Sequence, residues 1–373
     1  MLVATVIFDL IIMEPPKPKL TWKTAVFPLL GLIGFFLYIY LFQVDILGIL
    51  EMLQTVNPLI FGLALACGAI EVLFYTISWH ALTSHLNIKM TLKKAYLYVW
   101  YGLYVDIIVP AESVSGEVTR AYLLTRDQCA PFGKTVASLF MHRILGMAMN
   151  VVVLVVGIVL FSGEAQVDPL IFNLIVGISA GITAITVAMT ILAFKKTWML
   201  KIVDAIAKFT QKISRGKWGV KFRDEAGEIA DHFHGGMTEY RHSPKPLTTS
   251  LLYLAATWFF SLSIPYLVFW SLGNPVPWSI ILITSAIVLA VKSIPAGIPF
   301  EVGIPEATMT TLFYSMGVTA QLAATATILT RIVTLWFRFF VGFAAQQYLE
   351  LKPSFGKITD TEKTKNKIEL NRN

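Results

Sequence analysis

Val109-Pro110, then Gly116-Glu117-Val118-Thr119-Arg120, then His142-Arg143, is answered later in the chain by Ile294-Pro295, Gly303-Ile304-Pro305-Glu306 and Arg331. Each copy has a proline after an apolar run, a Gly-associated glutamate, and an arginine inside a long apolar segment. Glu117 to Arg143 is 26 residues and Glu306 to Arg331 is 25. Charges at matched places in two apolar halves are the mark of a duplicated membrane protein with a central polar site.

Composition agrees. The 373 residues are 56% hydrophobic and 14% charged, with mean hydropathy +0.68. A soluble domain carries about 25% charged residues, so the chain reads as all-α and integral to a membrane. Six apolar runs reach the length of a crossing, at roughly 24–44, 57–82, 134–162, 168–194, 248–271 and 319–348. Between the second and third lie two shorter pieces, 91–109 and 117–126; between the fifth and sixth lie 278–294 and 305–316. The second piece of each pair is too short or too charged to cross alone, so each pair is expected to form a re-entrant hairpin. Broken backbone at membrane depth is tolerated where protein buries it or water lines it.

The distribution of charge gives the orientation. Lys17, Lys19, Lys23, Lys89, Lys93, Lys94, Arg126 and Lys134 fall on one side, as do eleven Lys/Arg against six Asp/Glu in 195–247. The loops assigned to the other side hold Asp45, Glu51, Glu164 and Asp168 and no Lys or Arg. By the positive-inside rule both termini are cytoplasmic, and the plasma membrane is the expected site. Each half then contains three transmembrane helices plus one re-entrant hairpin. Three crossings is an odd number, so the second half is inverted relative to the first. The expected organisation is an N-terminal interfacial segment 1–23, a first repeat 24–165 with hairpin 91–126, a second repeat 166–350 with hairpin 278–316, and a basic tail 351–373. The second repeat also carries a basic amphipathic insert, 195–247. Within it, residues 223–241 read as a helix whose His232 and His234 face solvent.

The net charge of +7 sits in loops and tails, where it meets anionic lipid rather than nucleic acid. Cys67 and Cys129 have no spacing that makes a disulfide framework or a metal site. No P-loop, nucleophile elbow or dinucleotide fingerprint is present, so no catalytic residue, cofactor or metal is assigned.

The ionisable residues inside apolar segments carry the function, because each costs roughly 2.5–3.5 kcal/mol at a helix centre. The substrate-binding candidates are Glu117, Arg120, Arg143, Glu306 and Arg331. Glu71, His142, Lys292, Glu301 and Arg338 are supporting candidates. In the plain structural alternative, Glu117 neutralises Arg120 or Arg143 and Glu306 neutralises Arg331. Arg338, two turns after Arg331, shares its face and reaches either phosphate or the interface. Trp79-His80 reads as an interfacial anchor.

These motifs resemble the lysylphosphatidylglycerol synthase transmembrane family, also called flippase-like membrane proteins. Pro110 with Gly116-Glu117-x-x-Arg120 and Tyr122-Leu123-Leu124 is similar to the family's first signature. Pro299-Phe300-Glu301-Val302-Gly303-Ile304-Pro305-Glu306 is similar to its second, a Pro-Gly-Gly-x-Gly-x-x-Glu stretch in which Phe300 and Glu301 replace the glycine pair. Phe-Met-His-Arg143-Ile and Leu-Thr-Arg331-Ile also fit, and the likeness covers roughly residues 20–350. Synthase members carry a soluble aminoacyl-transfer domain and related archaeal members a glycosyltransferase domain, so the resemblance implies the lipid-translocating half alone.

The leading expectation is a lipid flippase or transporter, not an enzyme, for an anionic phospholipid or a polyprenyl-phosphate-linked lipid. One alternative is an accessory subunit that presents lipid to a separate synthase or glycosyltransferase; another is an intramembrane head-group enzyme. Oligomeric state stays open.

Overall fold

The computed structural model describes residues 51–109, 114–128, 130–163, 169–194, 219–292 and 303–351. The first expected span 24–44, the segment 1–23, insert residues 195–218, the tail from 352 and Glu301 lie outside the described residues.

Every regular element among the described residues is helical. In chain order these are α1 (Pro58–His85), α2 (Leu92–Ile108), α3 (Val114–Gln128), α4 (Phe132–Ser162), α5 (Pro169–Phe194), α6 (Gly219–Arg241) and α7 (Pro244–Ser271). They are followed by α8 (Trp278–Lys292), α9 (Ile304–Ser315), α10 (Ala320–Arg331), a π turn (Ile332–Phe337) and α11 (Arg338–Leu351). Four continuous helical stretches among the described residues are long and apolar enough to cross a membrane: Pro58–His85, Phe132–Ser162, Pro244–Ser271 and Ala320–Glu350. α5 occupies the place of the fourth expected span, with its apolar stretch at Ile175–Ala188.

Local chemistry explains the helix ends. The Asn57 side chain accepts from the Leu59 and Ile60 N–H groups at 3.0 and 3.4 Å, and Pro58 takes the first helical position, where no N–H is needed. α7 begins at Pro244 for the same reason, four residues before the expected 248. Gly303 opens α9 with φ 104°, a left-handed conformation that glycine adopts without strain.

α1 and α7 run antiparallel as the central pair. The Asn57 N–H donates to the Ser271 carbonyl at 2.8 Å, and further along Ser78 meets Ser250. α2 leaves from the His85 end of this pair and α8 from the Asn57 end. α2 and α3 pack as an antiparallel hairpin, whose open end is tied by the Tyr98 hydroxyl donating to Asp127 at 2.7 Å. α8 and α9 pack as the second, and the Phe313 ring near the end of α9 lies 4.9 Å from Phe269 near the end of α7. The two hairpins therefore open at opposite ends of the central pair.

The halves interlock reciprocally. α2 packs on α11, and α8 packs on α4. A glycine sits at each seam. A Cβ on Gly342 would lie 2.7 Å from the Cβ of Tyr104, and one on Gly157 would lie 3.0 Å from the Ile283 side chain. Small residues at such seams let helix backbones approach where lipid offers no hydrophobic drive to association.

α6 does not lie on the solvated surface that its charges predict. It is docked against α4: Lys134 pairs with Glu239 at 2.7 Å, Phe233 meets the Phe140 ring, and Gly236 packs on Ala137. The Tyr240 hydroxyl donates to the Leu82 carbonyl at 3.0 Å, and burial holds this phenol well above its ordinary pKa. His232 is exposed as expected, but His234 is partly buried. The reason lies in small residues at the contact: Gly133 leaves room for the α6 backbone at Ile229 and Phe233.

Gly342→Leu is expected to force α11 away from α2 and to lower stability by about 1–3 kcal/mol, the usual cost of overpacking. Thermal unfolding of the detergent-solubilised variant checks this; an unchanged midpoint would mean that the seam is loose.

Candidate functional site

Arginine keeps its proton at any physiological pH, so each arginine within the bundle must find an acceptor or remain a naked charge. Arg143 on α4 donates from Nη1 to Glu117 Oε1 on α3 at 3.0 Å. Arg331 at the end of α10 donates from Nε to Glu306 Oε1 on α9 at 2.5 Å. The duplicated motif thus makes the same contact twice, between the returning helix of a hairpin and the helix that follows it.

Each returning helix also has an acid near its start. In α9 the other Glu306 oxygen, Oε2, accepts the Gly303 N–H at 2.7 Å, so one carboxylate caps the helix and holds the arginine. In the first half these jobs are divided. Asp106 on α2 accepts the Gly116 N–H at 2.6 Å and the Ser115 hydroxyl at 2.7 Å, leaving Glu117 to Arg143. A Cβ at Gly116 would strike the Asp106 carboxylate and the Gly102 carbonyl. The glycine of the signature is there for close approach.

The pairs differ in burial. The Arg331 and Glu306 side chains are 6% and 4% exposed, while Arg143 and Glu117 are 20% and 22% exposed. The second-half pair is sealed, and the first-half pair is reachable.

A third pair was not legible from spacing. Arg338 Nη2 donates to Glu71 on α1, which joins the last helix of the second half to the first described helix of the first. The expectation that Arg331 and Arg338 share a face is corrected here. The π turn between them winds less per residue than an α-helix, and one extra residue rotates the register by about 100°. Arg331 therefore serves α9 while Arg338 serves α1.

Arg120 is the exception. It is 5% exposed and its Nη2 lies 3.4 Å from the Tyr75 hydroxyl. Its guanidinium carbon sits 5.5 and 5.3 Å from the ring centroids of Tyr75 and Trp79, a cation–π environment worth about 2 kcal/mol when desolvated. Nη1 has no acceptor. Trp79 is accordingly not an interfacial anchor: it is fully buried, with Nε1 donating to Ser138 at 3.2 Å. His142 is buried too, with Nε2 3.1 Å from Ser78 Oγ and its ring against Tyr75. Lys292 ends α8, half-buried.

These contacts converge on one face of α1. Glu71, Tyr75, Ser78 and Trp79 recur at helical spacing and meet, in turn, Arg338, Arg120, His142 and Arg120 again. The sequence reading noted Glu71 but missed Ser78; a serine in an apolar helix is a weak signal, since its hydroxyl can bond its own backbone.

Breaking the sealed pair with Arg331→Met leaves Glu306 buried and uncompensated, and is expected to cost about 3–5 kcal/mol. Arg143→Met, in the partly exposed pair, is expected to cost about 1 kcal/mol. Equal losses in thermal unfolding would contradict the difference in burial.

Three relatives cover most of the chain. A UPF0104 membrane protein of Pyrococcus horikoshii is 24% identical over 75% of this chain and 84% of its own length. UPF0104 membrane proteins of Methanocaldococcus jannaschii and Methanothermobacter thermautotrophicus are 23% and 22% identical, each over 80% of this chain and 87% and 88% of their own lengths. The sequence profile described as the lysylphosphatidylglycerol synthase TM region matches residues 23–342, a stretch that contains the three Glu–Arg pairs found among the described residues. This chain is a multi-pass membrane protein that belongs to the lysylphosphatidylglycerol synthase TM region family.

Proposed function

We propose that the protein is a lipid flippase or transporter, which moves an anionic phospholipid or a polyprenyl-phosphate-linked lipid between leaflets through a polar site at mid-membrane. One observation carries this reading: the same Glu–Arg contact is made twice, in hairpins that open at opposite ends of the α1–α7 pair. In this reading the halves are inverted repeats and the hairpins re-entrant, each reaching the midplane from its own side. A phosphate that enters beside one hairpin competes with the glutamate for its arginine. Glu117 releases Arg143, or Glu306 releases Arg331, and the lipid phosphate takes the carboxylate's place with its own charge-assisted hydrogen bonds. The exchange keeps the arginine neutralised, and the released glutamate has to take a proton or another donor, a cost that the lipid's binding must offset.

The unequal burial of the two pairs fits one stage of such a cycle. The partly exposed Glu117–Arg143 pair is ready to receive a head group while Glu306–Arg331 is closed. Closing one and opening the other is an exchange between two states, and a lipid drives it only by binding them differently. The acyl chains stay in the bilayer.

Single-cysteine labelling at 83–94 and at 126–134 tests the topology. Both segments are expected on the cytoplasmic side of the plasma membrane, with both termini; labelling from opposite sides would end the re-entrant reading. Fluorescent-lipid translocation in proteoliposomes tests the transport. The wild type is expected to move an anionic phospholipid, and Arg143→Ala and Arg331→Ala to slow it at least about tenfold, the loss of one charge-assisted contact. A wild type without translocation, or full activity in both variants, would overturn it.

A further inference from the structure

Among the described residues, the buried N–H donors without an acceptor include Arg120 Nη1 on α3, Arg338 Nε at the start of α11 and Trp100 Nε1 on α2, elements that share neighbours. An unmet buried donor is costly, and more so when it is charged. α2 packs against α1, α3 and α11. Arg120 lies against Tyr75 and Arg338 against Glu71, one turn apart on the same face of α1. The Trp100 ring meets Phe337, the neighbour of Arg338. Glu71 engages Arg338 through Nη2 and leaves Nε unmet. Asp106, on the next helix, gives its Oδ1 to Ser115 and Gly116.

We propose that Arg120 and Arg338, with Trp100 as a third donor, form a clamp for one phosphate group on the Glu71–Tyr75 face of α1. The clamp shares no hydrogen bond with the Glu117–Arg143 and Glu306–Arg331 pairs, although the Glu117 and Asp106 carboxylates lie within electrostatic reach of Arg120, and it takes one arginine from each half of the chain. Its chemistry selects an oxyanion: two guanidinium groups and an indole donate, and arginine's planar fork matches phosphate oxygens. Glu71 is the counter-ion that a second negative charge loosens from Arg338, so the occupied clamp ties α3 to α11 in place of α1. The proposal rests on the lipid reading above and names where the phosphate of that lipid is held. The phosphodiester of a phospholipid and free inorganic phosphate share this chemistry, so the test must separate them.

The full-length protein is purified in detergent, and its unfolding midpoint is followed while dioctanoyl-phosphatidylglycerol, dioctanoylglycerol or sodium phosphate is added. The phosphatidylglycerol is expected to raise the midpoint and the glycerolipid without phosphate is not. Arg120→Met, measured from its own lipid-free midpoint, is expected to need at least about tenfold more phosphatidylglycerol for the same shift, because an apolar side chain of similar length cannot donate to phosphate. The double variant Glu71→Gln/Arg338→Met, which leaves no bare charge behind, is expected to lose affinity likewise. If Arg120→Met does not fold, Arg120→Lys keeps the charge without the fork and is expected to bind several-fold more weakly.

Wild-type affinity in Arg120→Met, or in Arg120→Lys where it stands in, overturns the clamp. So does a wild type that responds to neither phosphate compound, or equally to phosphatidylglycerol and to dioctanoylglycerol. A response to sodium phosphate alone keeps the oxyanion clamp and removes the lipid. Lipid transport that persists at the wild-type rate in Arg120→Met, with phosphatidylglycerol binding intact, removes the clamp and keeps the transporter.

Discussion

A guanidinium group cannot shed its charge inside an apolar bundle, and the arrangement of helices in this protein follows from that constraint. A lysine or a carboxylate can neutralise itself by proton exchange when it is buried; arginine needs a partner. Arg143, Arg331 and Arg338 each hold a glutamate on another helix. Each such contact fixes the rotation and depth of two helices at once, and a slip of either would strand both charges. Apolar packing alone leaves helices in a lipid environment free to rotate, because lipid tails solvate leucine as well as protein does. The ion pairs supply the register, and the glycine seams at Gly157 and Gly342 supply the closeness.

One of these pairs, Glu71–Arg338, lies on α1. Arg338, Arg120 and His142 pack on its polar face from three other helices. On the adjoining flank α7 lies antiparallel, joined through the Ser78–Ser250 hydroxyl pair at 2.7 Å. α1 contacts both halves through polar groups. The Glu71–Arg338 pair joins α1 to α11, and the Gly342 seam joins α11 to α2.

Much of this was readable from residue order, and the remainder failed for identifiable reasons. The intervals of 26 and 25 residues between glutamate and arginine pointed to paired halves, and both pairs exist because a short helix, a tight link and a following helix return the chain to the same point. Glu71 and Arg338 are 267 residues apart; no local period connects them, and only the packing of α11 beside α1 does. The π turn escaped detection because Ile332–Phe337 reads as ordinary apolar helix. Trp79 resembled an interface residue by its place near a helix end, but α3 and α4 close over it. α6 looked solvated because its charges dominate its composition, whereas the docking is done by Gly133, Gly236 and two aromatic rings.

The π turn gives the asymmetry between the halves a structural basis. In the first half, the helix that carries Arg143 runs without interruption from Phe132 to Ser162, and Arg120 on the preceding helix is the cation that faces α1. In the second half, no cation stands three residues after Glu306, where Met309 occupies the place corresponding to Arg120. The second cation comes instead from farther along the same long helix, as Arg338. A regular α-helix would keep Arg338 near the Arg331 face, toward α9. The extra residue per turn rotates it to α1, so one continuous stretch satisfies Glu306 at one point and Glu71 at the next. The halves share a charge pattern in sequence and differ in where their second cation originates. That difference places arginines from both halves beside consecutive turns of one helix.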